Sequence, residues 1–382
     1  MKVLAFIACV LALMFGSKAN ASSCPSPKAT TSIAVAGHPF GVAATADNCW
    51  MYVALSTAAD HGAVAVLHNQ GGTFSVEHTI ALNDRGLGES LTHDEQTLLI
   101  TSGEGTAILS TAALRRGDAN ALLGKFHSGA GAEAVYAAVG PDDKLLFVSD
   151  EGKARISVFD LAKAQSDGFH DVEPVGRIPV ALFPVGLAFS PDGRWLYATS
   201  QTTERDSSMA ATCAPEQERG RMHSQGLLFR IDVQKVATDA AHAVVAAIPA
   251  GCNPVRVAVS PSGKQLWVTA RGDNALLRIQ TDEWLAQSNH ASVRHFPIGN
   301  SPVGVTVRPD GKQVWVALSN RFDKNNGGQL VGMADATDDV PSKRMTLPAA
   351  GFPREVTFLA DGNTLVATLF DANQVVILPT TN

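Results

Sequence analysis

The sequence has little charge and few aromatic side chains, and both shortages exclude classes of protein. Of its 382 residues, 17% are charged, 6% are aromatic and 45% are hydrophobic. A chain with so much apolar material and so little charge folds into a core instead of staying disordered. The formal net charge is −6, whereas nucleic-acid-binding domains carry basic patches. We therefore expect a folded protein with no nucleic-acid partner.

Long apolar runs are absent except at the amino terminus. Lys2 precedes an apolar run over 3–15, and the segment ends in Ala-Asn-Ala at 19–21, the pattern of a signal-peptidase site. The run is shorter than the roughly 20 residues that a transmembrane helix needs. The sequence predicts a signal peptide at 1–21 that is cleaved, export to the periplasm or the cell exterior, and no transmembrane segment.

The familiar catalytic and metal-binding motifs are missing too. The chain contains no Gly-x-Ser-x-Gly, no His-Glu-x-x-His, no phosphate-binding loop and no dinucleotide fingerprint after a strand. No Cys-x-x-Cys spacing is present either, and structural zinc sites need closely spaced cysteine or histidine ligands. We therefore expect no metal and no cofactor.

What the sequence does contain is a repeat of about 48 residues in seven copies. The anchor residues of its turns are Asp47, Asp94, Asp142, Asp192, Ser262, Asp310 and Asp361. Five positions after the anchors stand Tyr52, Leu99, Phe147, Tyr197, Trp267, Trp315 and Val366. Eight positions before them stand Pro39, Gly86, Ala134, Pro184, Pro254, Pro302 and Pro353. Three columns in register across seven units indicate a repeat architecture.

Each repeat is expected to form four short antiparallel strands. Apolar segments at 257–259 and 266–269 flank an Asp/Gly-type turn, and a third follows at 275–279. Seven such units predict an all-β fold, a seven-bladed β-propeller, in one domain over 22–382. The last repeat has only three strands, so we expect Thr31–Ala36 to add its outer strand and close the ring.

The repeat resembles the YVTN-repeat propellers, which are related to the lactonase-like seven-bladed propellers. The matching phrases follow the turns, at Tyr197–Ser200, Trp267–Ala270 and Trp315–Leu318. The resemblance extends over essentially all of 31–382. It implies the propeller fold, but it leaves the activity open, because such families include lactonases and partner-binding surface proteins.

Four cysteines remain after the signal peptide, and an even number in an exported protein favours disulfides. In a propeller, loops between the second and third strands share a face with the links between blades. Cys213 lies in such a loop and Cys252 in such a link, whereas Cys24 and Cys49 belong to the opposite face. The topology predicts the pairs Cys24–Cys49 and Cys213–Cys252.

Residues that break a column are the candidates for function. One column near the start of the innermost strand is glycine in four blades and Tyr136, Arg256 or Glu355 in the others. The next column is apolar in six of the seven repeats, and the second repeat has Glu89 there. A carboxylate in such a place must be paired or have a raised pKa. A salt bridge of Glu89 with Arg85 or Arg256 is the structural alternative to a functional role.

We expect these side chains to converge at one mouth of the central channel. The predicted ligand-binding residues are Arg85, Glu89, Glu133, Tyr136, Arg256, Arg354 and Glu355. The candidate catalytic residues are Glu89, Glu133 and His38, although a histidine beside Pro39 is also typical of packing or capping. An insertion at about 201–225 is expected to emerge on the same face.

Two functions follow as hypotheses. The first is an exported, monomeric propeller that binds a small ligand or a protein partner on its loop-rich channel-mouth face. The second is a lactonase-like hydrolase of sugar or acyl lactones, in which Glu89 or Glu133 activates water and an arginine stabilises the oxyanion. Whether the protein is an enzyme stays open at this point.

Overall fold

The structure is a computed structural model, and it describes residues 23–58, 60–204, 212–213, 223–286, 290–321, 327–334 and 343–380. The predicted signal peptide, at 1–21, lies outside the described residues, and so does most of the insertion at 201–225.

Seven four-stranded antiparallel sheets make up the fold, and the innermost strands of successive blades contact one another around the ring. This confirms the predicted seven-bladed propeller. From the inside outward, blades 1 and 2 consist of His38–Ala44, Trp50–Ala58, His61–Gln70 and Thr73–Leu82, then Glu89–Leu91, Thr97–Ser102, Gly105–Ser110 and Leu122–His127. Blades 3 and 4 consist of Ala134–Val139, Leu145–Asp150, Arg155–Asp160 and Gly176–Pro179, then Leu182–Phe189, Trp195–Thr202, Leu227–Asp232 and Val244–Pro249. Blades 5 and 6 consist of Pro254–Val259, Gln265–Ala270, Ala275–Gln280 and Val293–Pro297, then Pro302–Val307, Gln313–Leu318, Gln329–Ala334 and Lys343–Pro348.

Blade 7 is built from both ends of the chain. Its inner strands are Pro353–Phe358, Thr364–Leu369 and Gln374–Pro379, and its outer strand is Thr31–Ala34. Thr31 lies opposite Ile377 in the antiparallel ladder. The predicted ring closure is therefore confirmed, with a strand two residues shorter than expected.

The turn at each anchor explains why the anchor column repeats. In blade 4 the carboxylate of Asp192 accepts hydrogen bonds from the Ser190 hydroxyl at 2.5 Å and from the backbone N–H of Arg194 at 3.1 Å. The next residue, Gly193, has a φ of 69°, a left-handed conformation that glycine adopts without strain. The same position is left-handed in the other six blades, at Asn48, Glu95, Asp143, Gly263, Gly311 and Gly362.

The core consists of the apolar faces packed between neighbouring blades. The aromatic column five residues after the anchors is fully enclosed there, as shown by Tyr52, Phe147, Tyr197, Trp267 and Trp315. Burying side chains of this size supplies much of the favourable free energy of folding, at roughly 25 cal/mol per Å² of apolar surface.

Short helices connect consecutive strands within blades 2 to 5. The α-helices are Thr111–Arg115, Leu161–Ser166, Val233–Asp239 and Thr281–Ala286, and the 3₁₀-helices are Glu151–Lys153, Ala240–His242 and Arg271–Asp273. Asp160 and Asp232 cap two of the α-helices by accepting backbone N–H bonds. None of the helices in the described part of the chain has the length and apolar character to cross a membrane.

Both predicted disulfides are present. Cys24 joins Cys49 with their Cα atoms 5.0 Å apart, and Cys213 joins Cys252 at 5.8 Å. In the described part of the insertion, Thr212–Cys213 pairs with His223–Ser224. The second disulfide therefore fastens the insertion to the link that leads into blade 5.

Candidate functional site

A polar cavity of about 210 Å³ occupies one mouth of the central channel. It lies between the starts of the innermost strands and the ends of the second strands, mainly in blades 3 to 7. Its lining consists of Val135, Glu151, Val185, Gln201, Val255, Arg256, Arg271, Val303, Ser319, Arg321, Phe352 and Arg354. Four of these described lining residues are arginines and one is a carboxylate.

The backbone places the second-strand residues at this mouth in the same way in several blades. The N–H of Glu151 donates to the carbonyl of Glu133, and the N–H of Arg271 donates to the carbonyl of Asn253, at 3.2 and 3.1 Å. The accepting residue is left-handed in five blades, as Glu133, Phe183, Asn253, Ser301 and Phe352. The fold thus fixes the backbone of the mouth, while the side chains differ from blade to blade.

The residue after the proline column forms a ring inside the channel. It is hydrocarbon in six blades, as Phe40, Leu87, Val135, Val185, Val255 and Val303. In blade 7 it is Arg354, whose guanidinium carbon lies 3.6 Å from the ring centre of Phe40 and within 6 Å of those of Phe352 and Phe370. Arginine here is the largest departure from the repeat at the cavity.

Within the described ranges no carboxylate forms an ion pair with Arg354, although Glu355 and Glu151 interact with its charge at longer range. Its Nε atom is buried, and no hydrogen-bond acceptor within the described residues reaches it. Burial, together with the positive charges of Arg256, Arg321 and Arg271, lowers the pKa of Arg354 to about 9. The guanidinium is therefore still protonated at neutral pH and attracts anions into the cavity.

Beside the cavity, three large side chains from alternate blades meet across the channel, because the blades between them have glycine at the same position. The Arg256 guanidinium lies 4.2 Å from the ring centre of Tyr136, and its Nη2 donates to Glu355 Oε2 at 3.1 Å. Gly186 and Gly304 stand between these residues in the ring. A Cβ atom at Gly186 would lie 2.7 Å from the carbonyl oxygen of Val255, so glycine is required there.

Tyr136, Arg256 and Glu355, all predicted ligand-binding residues, form a belt across the channel, and Glu355 neutralises the charge of Arg256. Arg256 and Glu355 are both nearly buried and form a two-point ion pair through Nε and Nη2. Burial raises the pKa of Tyr136, and the negative charge of Glu355 adds to the increase. Of the four arginines at the cavity, Arg256 is thus already paired.

Glu89 lies outside the cavity. Only 8% of it is exposed; no hydrogen bond of good geometry reaches its carboxylate oxygens among the residues described, and the nearby backbone of Ala43 and Ala54 lowers its pKa by less than burial raises it. It packs against blade 1, where a Cβ at Gly41 would lie 2.9 Å from its Cγ. Burial raises the pKa of Glu89 well above its ordinary value, and the charge of Glu355 adds to this.

The structural alternative proposed for Glu89 is wrong. No ion pair joins Glu89 to Arg85 or Arg256 in the described chain, because Arg256 is bonded to Glu355 and Arg85 is exposed. The other outcome expected for a carboxylate in this apolar column, a raised pKa, is what the structure shows.

The remaining predicted residues, Arg85, Glu133 and His38, do not line the cavity. Arg85 is exposed, with no contact in the described structure that joins it to the cluster. Glu133 is exposed beside the turn that carries Glu151, since a Cβ at Gly152 would lie 3.1 Å from its Cγ. His38 donates through Nδ1 to the Phe370 carbonyl at 2.9 Å and stacks on that ring, an arrangement typical of packing.

Sequence reasoning missed a row of polar residues at the ends of the second strands. Glu151 accepts a hydrogen bond from Gln201 Nε2 at 2.7 Å, and Arg271 Nη2 donates to Gln201 Oε1 at 3.4 Å. Burial raises the pKa of Glu151. The signal was a column nine residues after the anchors, which reads Ser56, Gly103, Glu151, Gln201, Arg271, Ser319 and Phe370. Within the described ranges no three His, Cys, Asp or Glu side chains lie close enough together to hold a metal ion.

The geometry defines a seven-bladed β-propeller with an arginine-lined cavity at one channel mouth. A family model described as "Lactonase, 7-bladed beta-propeller" matches residues 136–325. The chain is therefore similar to the lactonase-like seven-bladed propellers over this part of its length, in agreement with the resemblance of its repeat. No curated protein sequence matches it.

Solved structures show the same fold at low sequence identity. The chain is similar to hydrazine synthase from Kuenenia stuttgartiensis, with a TM-score of 0.67 and 16% identity over 91% of this chain and 96% of that one. It is also similar to the Cps50 (Swd1) β-propeller domain from Myceliophteria thermophila, with a TM-score of 0.64 and 13% identity over 92% and 100%. At such identities the likeness concerns the fold alone.

Proposed function

We propose that the protein is an exported propeller that binds a small anionic molecule in the mouth cavity. The observation that carries this proposal is Arg354, a protonated guanidinium at the cavity in a ring position that is hydrocarbon in the other six blades. Its Nε is buried and lacks a partner among the described residues.

A half-buried charge without an ion-pair partner is costly, and a ligand offsets that cost. Removing a charged group from water without a partner costs several kcal/mol. The aromatic rings of Phe40, Phe352 and Phe370 recover part of it through cation–π contacts of about 0.5–2 kcal/mol each. A carboxylate or phosphate on the guanidinium would supply the charge-assisted hydrogen bonds that the protein itself does not.

The size and position of the cavity support a small molecule over a protein partner. Its volume of about 210 Å³ lies below the roughly 300–1,000 Å³ of pockets for drug-sized ligands. The valines of its floor are less than a tenth exposed, so a flat protein surface would not reach them.

The test is a titration by calorimetry at low salt, with a panel of small carboxylates and inorganic phosphate. Arg354→Met keeps the size of the side chain and removes its charge, and we expect it to weaken binding at least tenfold. Arg177→Met, at an exposed site on the outer strand of blade 3, is the matched control and should bind as the wild type does. Equal binding by Arg354→Met would contradict the proposal.

Export is part of the same proposal and is tested separately. The leader at 1–21 and the two disulfides support an oxidising compartment. We expect the mature protein, expressed in a bacterial host, to start at Ser22 and to be recovered outside the cytoplasm. An intact leader on cytoplasmic protein would argue against export.

A second candidate function is lactonase-like hydrolysis, which Glu151 and the family match favour. Glu151 is a carboxyl of raised pKa that lines the cavity together with arginines. In this reaction Glu151 would take a proton from water, the oxygen of that water would attack the lactone carbonyl carbon, and Arg354 would stabilise the oxyanion. The ring C–O bond then breaks, and the leaving oxygen recovers the proton.

A panel of sugar and acyl lactones separates the two functions. If the protein is a hydrolase, Glu151→Gln should lower kcat at least a hundredfold, whereas Glu173→Gln at an exposed site should leave it unchanged. If no lactone is opened faster than in buffer, the hydrolase is excluded for that panel and binding alone remains.

A further inference from the structure

The charges of the mouth cavity are separated by blade. Its carboxylate side is blade 3, where Glu151 lines the cavity and Glu133 stands at the rim beside it. Its arginine side is formed by blades 5 to 7, which contribute Arg271, Arg321 and Arg354. The cavity is therefore polar along one direction instead of uniformly positive.

A carboxylate is an unexpected part of a site that receives only an anion. In its ionised form Glu151 would repel a negatively charged ligand, and the low local dielectric would strengthen that repulsion. The one hydrogen bond shown to its carboxylate comes from Gln201, and an ionised carboxylate can accept about four. Glu151 is thus equipped to receive a further donor, which a ligand with a cationic group would provide.

The floor between the two charged sides is apolar. Val185, Val255 and Val303 form part of it, and Phe352 adds an aromatic wall next to Arg354. A ligand that spans the cavity would place a hydrocarbon portion over these side chains.

We infer that the ligand is a zwitterion, namely a free α-amino acid with a compact aliphatic side chain. Its carboxylate would bind Arg354, its ammonium group would donate to Glu151, and its side chain would lie on the valine floor. This inference rests on the proposed anion site and adds that Glu151 determines which anions are accepted. In this arrangement each charged group of the ligand meets the opposite charge.

The experiment compares three ligands that share the aliphatic side chain of leucine. L-leucine carries both charges, 4-methylpentanoate lacks the ammonium group, and 3-methylbutylamine lacks the carboxylate. By calorimetry at neutral pH and low salt, the wild type should bind leucine at least tenfold more tightly than either of the others. Glu151→Gln should weaken leucine binding at least tenfold and leave 4-methylpentanoate equal or tighter. Glu173→Gln is the matched control and should change neither.

The outcomes distinguish this inference from the proposed function. If 4-methylpentanoate binds as tightly as leucine in the wild type, the zwitterion is refuted, while the Arg354-dependent anion site stands. If Glu151→Gln weakens both ligands equally, Glu151 does not select, and the inference is also overturned. If neither leucine nor any simple carboxylate or phosphate binds the wild type, both proposals fall. Should Glu151→Gln not fold, the ratio of the two affinities in the wild type still decides.

Discussion

The two ends of the central channel differ in how far equivalent side chains agree from blade to blade. On the turn face, a carboxylate or hydroxyl at the anchor holds a turn in each blade, and the residue after it is left-handed throughout. On the mouth face, the backbone bonds recur between blades, but the side chains at equivalent positions range from valine to arginine and from serine to glutamate. One face repeats its chemistry, and the other repeats only its geometry.

The difference shows which substitutions the fold itself demands. Asp192 holds the blade 4 turn through bonds to two neighbours, so its replacement would affect folding. Arg354 has no such partner among the described residues, so the fold does not explain it. A residue that breaks its column at some cost in stability is a candidate for binding or catalysis.

The largest expected effect concerns the closing strand Thr31–Ala34, on which the whole ring depends. Deleting residues 22–36 removes Thr31–Ala34 and leaves the last blade with an open edge, which is prone to aggregation. We expect no soluble folded protein from this deletion, measured by size-exclusion chromatography and circular dichroism. Because the deletion also removes Cys24, the double variant Cys24→Ser/Cys49→Ser is the control and should remain soluble. A well-folded deletion variant would disprove the role of the closing strand.

The next prediction concerns the disulfide of the mouth face. Cys213 and Cys252 are 39 residues apart, and closing a loop of that length stabilises the folded state by about 3–4 kcal/mol in the chain-entropy model. We expect Cys213→Ser/Cys252→Ser to lower the free energy of unfolding by that order in urea titrations. Cys24→Ser/Cys49→Ser, with a separation of 25, should cost slightly less. No change in either variant would show that these loops are ordered without the cross-links.

Glu89 offers a test of a column break that lies away from the cavity. Its pKa is raised by burial above the ordinary value of 4.5, so the native state holds its proton more tightly than the unfolded state does. Stability from this group is therefore lost as the pH rises from 4.5 toward the native pKa. Glu89→Leu should raise the free energy of unfolding by about 1–4 kcal/mol at pH 8 and by less at pH 4.5. Glu173→Leu, an exposed control, should change it by under about 0.5 kcal/mol. A gain that is the same at both pH values would contradict the raised pKa.

The smallest effect compares the two faces directly within blade 4. Asp192→Ala removes two hydrogen bonds of the turn, each of about 1 kcal/mol, and should lower the free energy of unfolding by about 1–2 kcal/mol. Gln201→Ala at the mouth removes hydrogen bonds between half-buried side chains and should cost less than about 1 kcal/mol, but it should alter ligand affinity. If Gln201→Ala were the more destabilising of the two, the contrast between the faces would fail.

The fold could be read from the sequence because its columns follow from backbone needs. A turn residue with left-handed backbone, a buried aromatic five positions after the anchor and a strand-starting proline recur at fixed spacing, and the disulfide pairs follow from the topology. The boundaries were less exact: the closing strand ends at Ala34 and not at Ala36, because the chain leaves the sheet there to begin blade 1 at His38.

The candidate site was predictable only in part. Arg256 and Glu355 replace glycine in their column, and these large side chains among glycines indicated the belt across the channel. Glu89 belongs to the next column, which packs between blades, and the sequence alone does not show which column faces the channel. Glu151 was missed because its column holds six different residue types in seven blades, so no single residue stands out against a repeated background.

The closing strand also determines when the molecule can complete its folding. Thr31 finds its partner Ile377 only after nearly the whole chain has been synthesised, and ring closure is therefore the most non-local event in the fold. Such contacts slow folding, because chain entropy is lost before the contact stabilises anything. The Cys24–Cys49 bond anchors the segment before this strand to blade 1, and His38 begins blade 1 immediately after it. The closing strand Thr31–Ala34 is thus held near blade 1 at both of its ends, which reduces the conformational entropy that is lost when it pairs with the last blade.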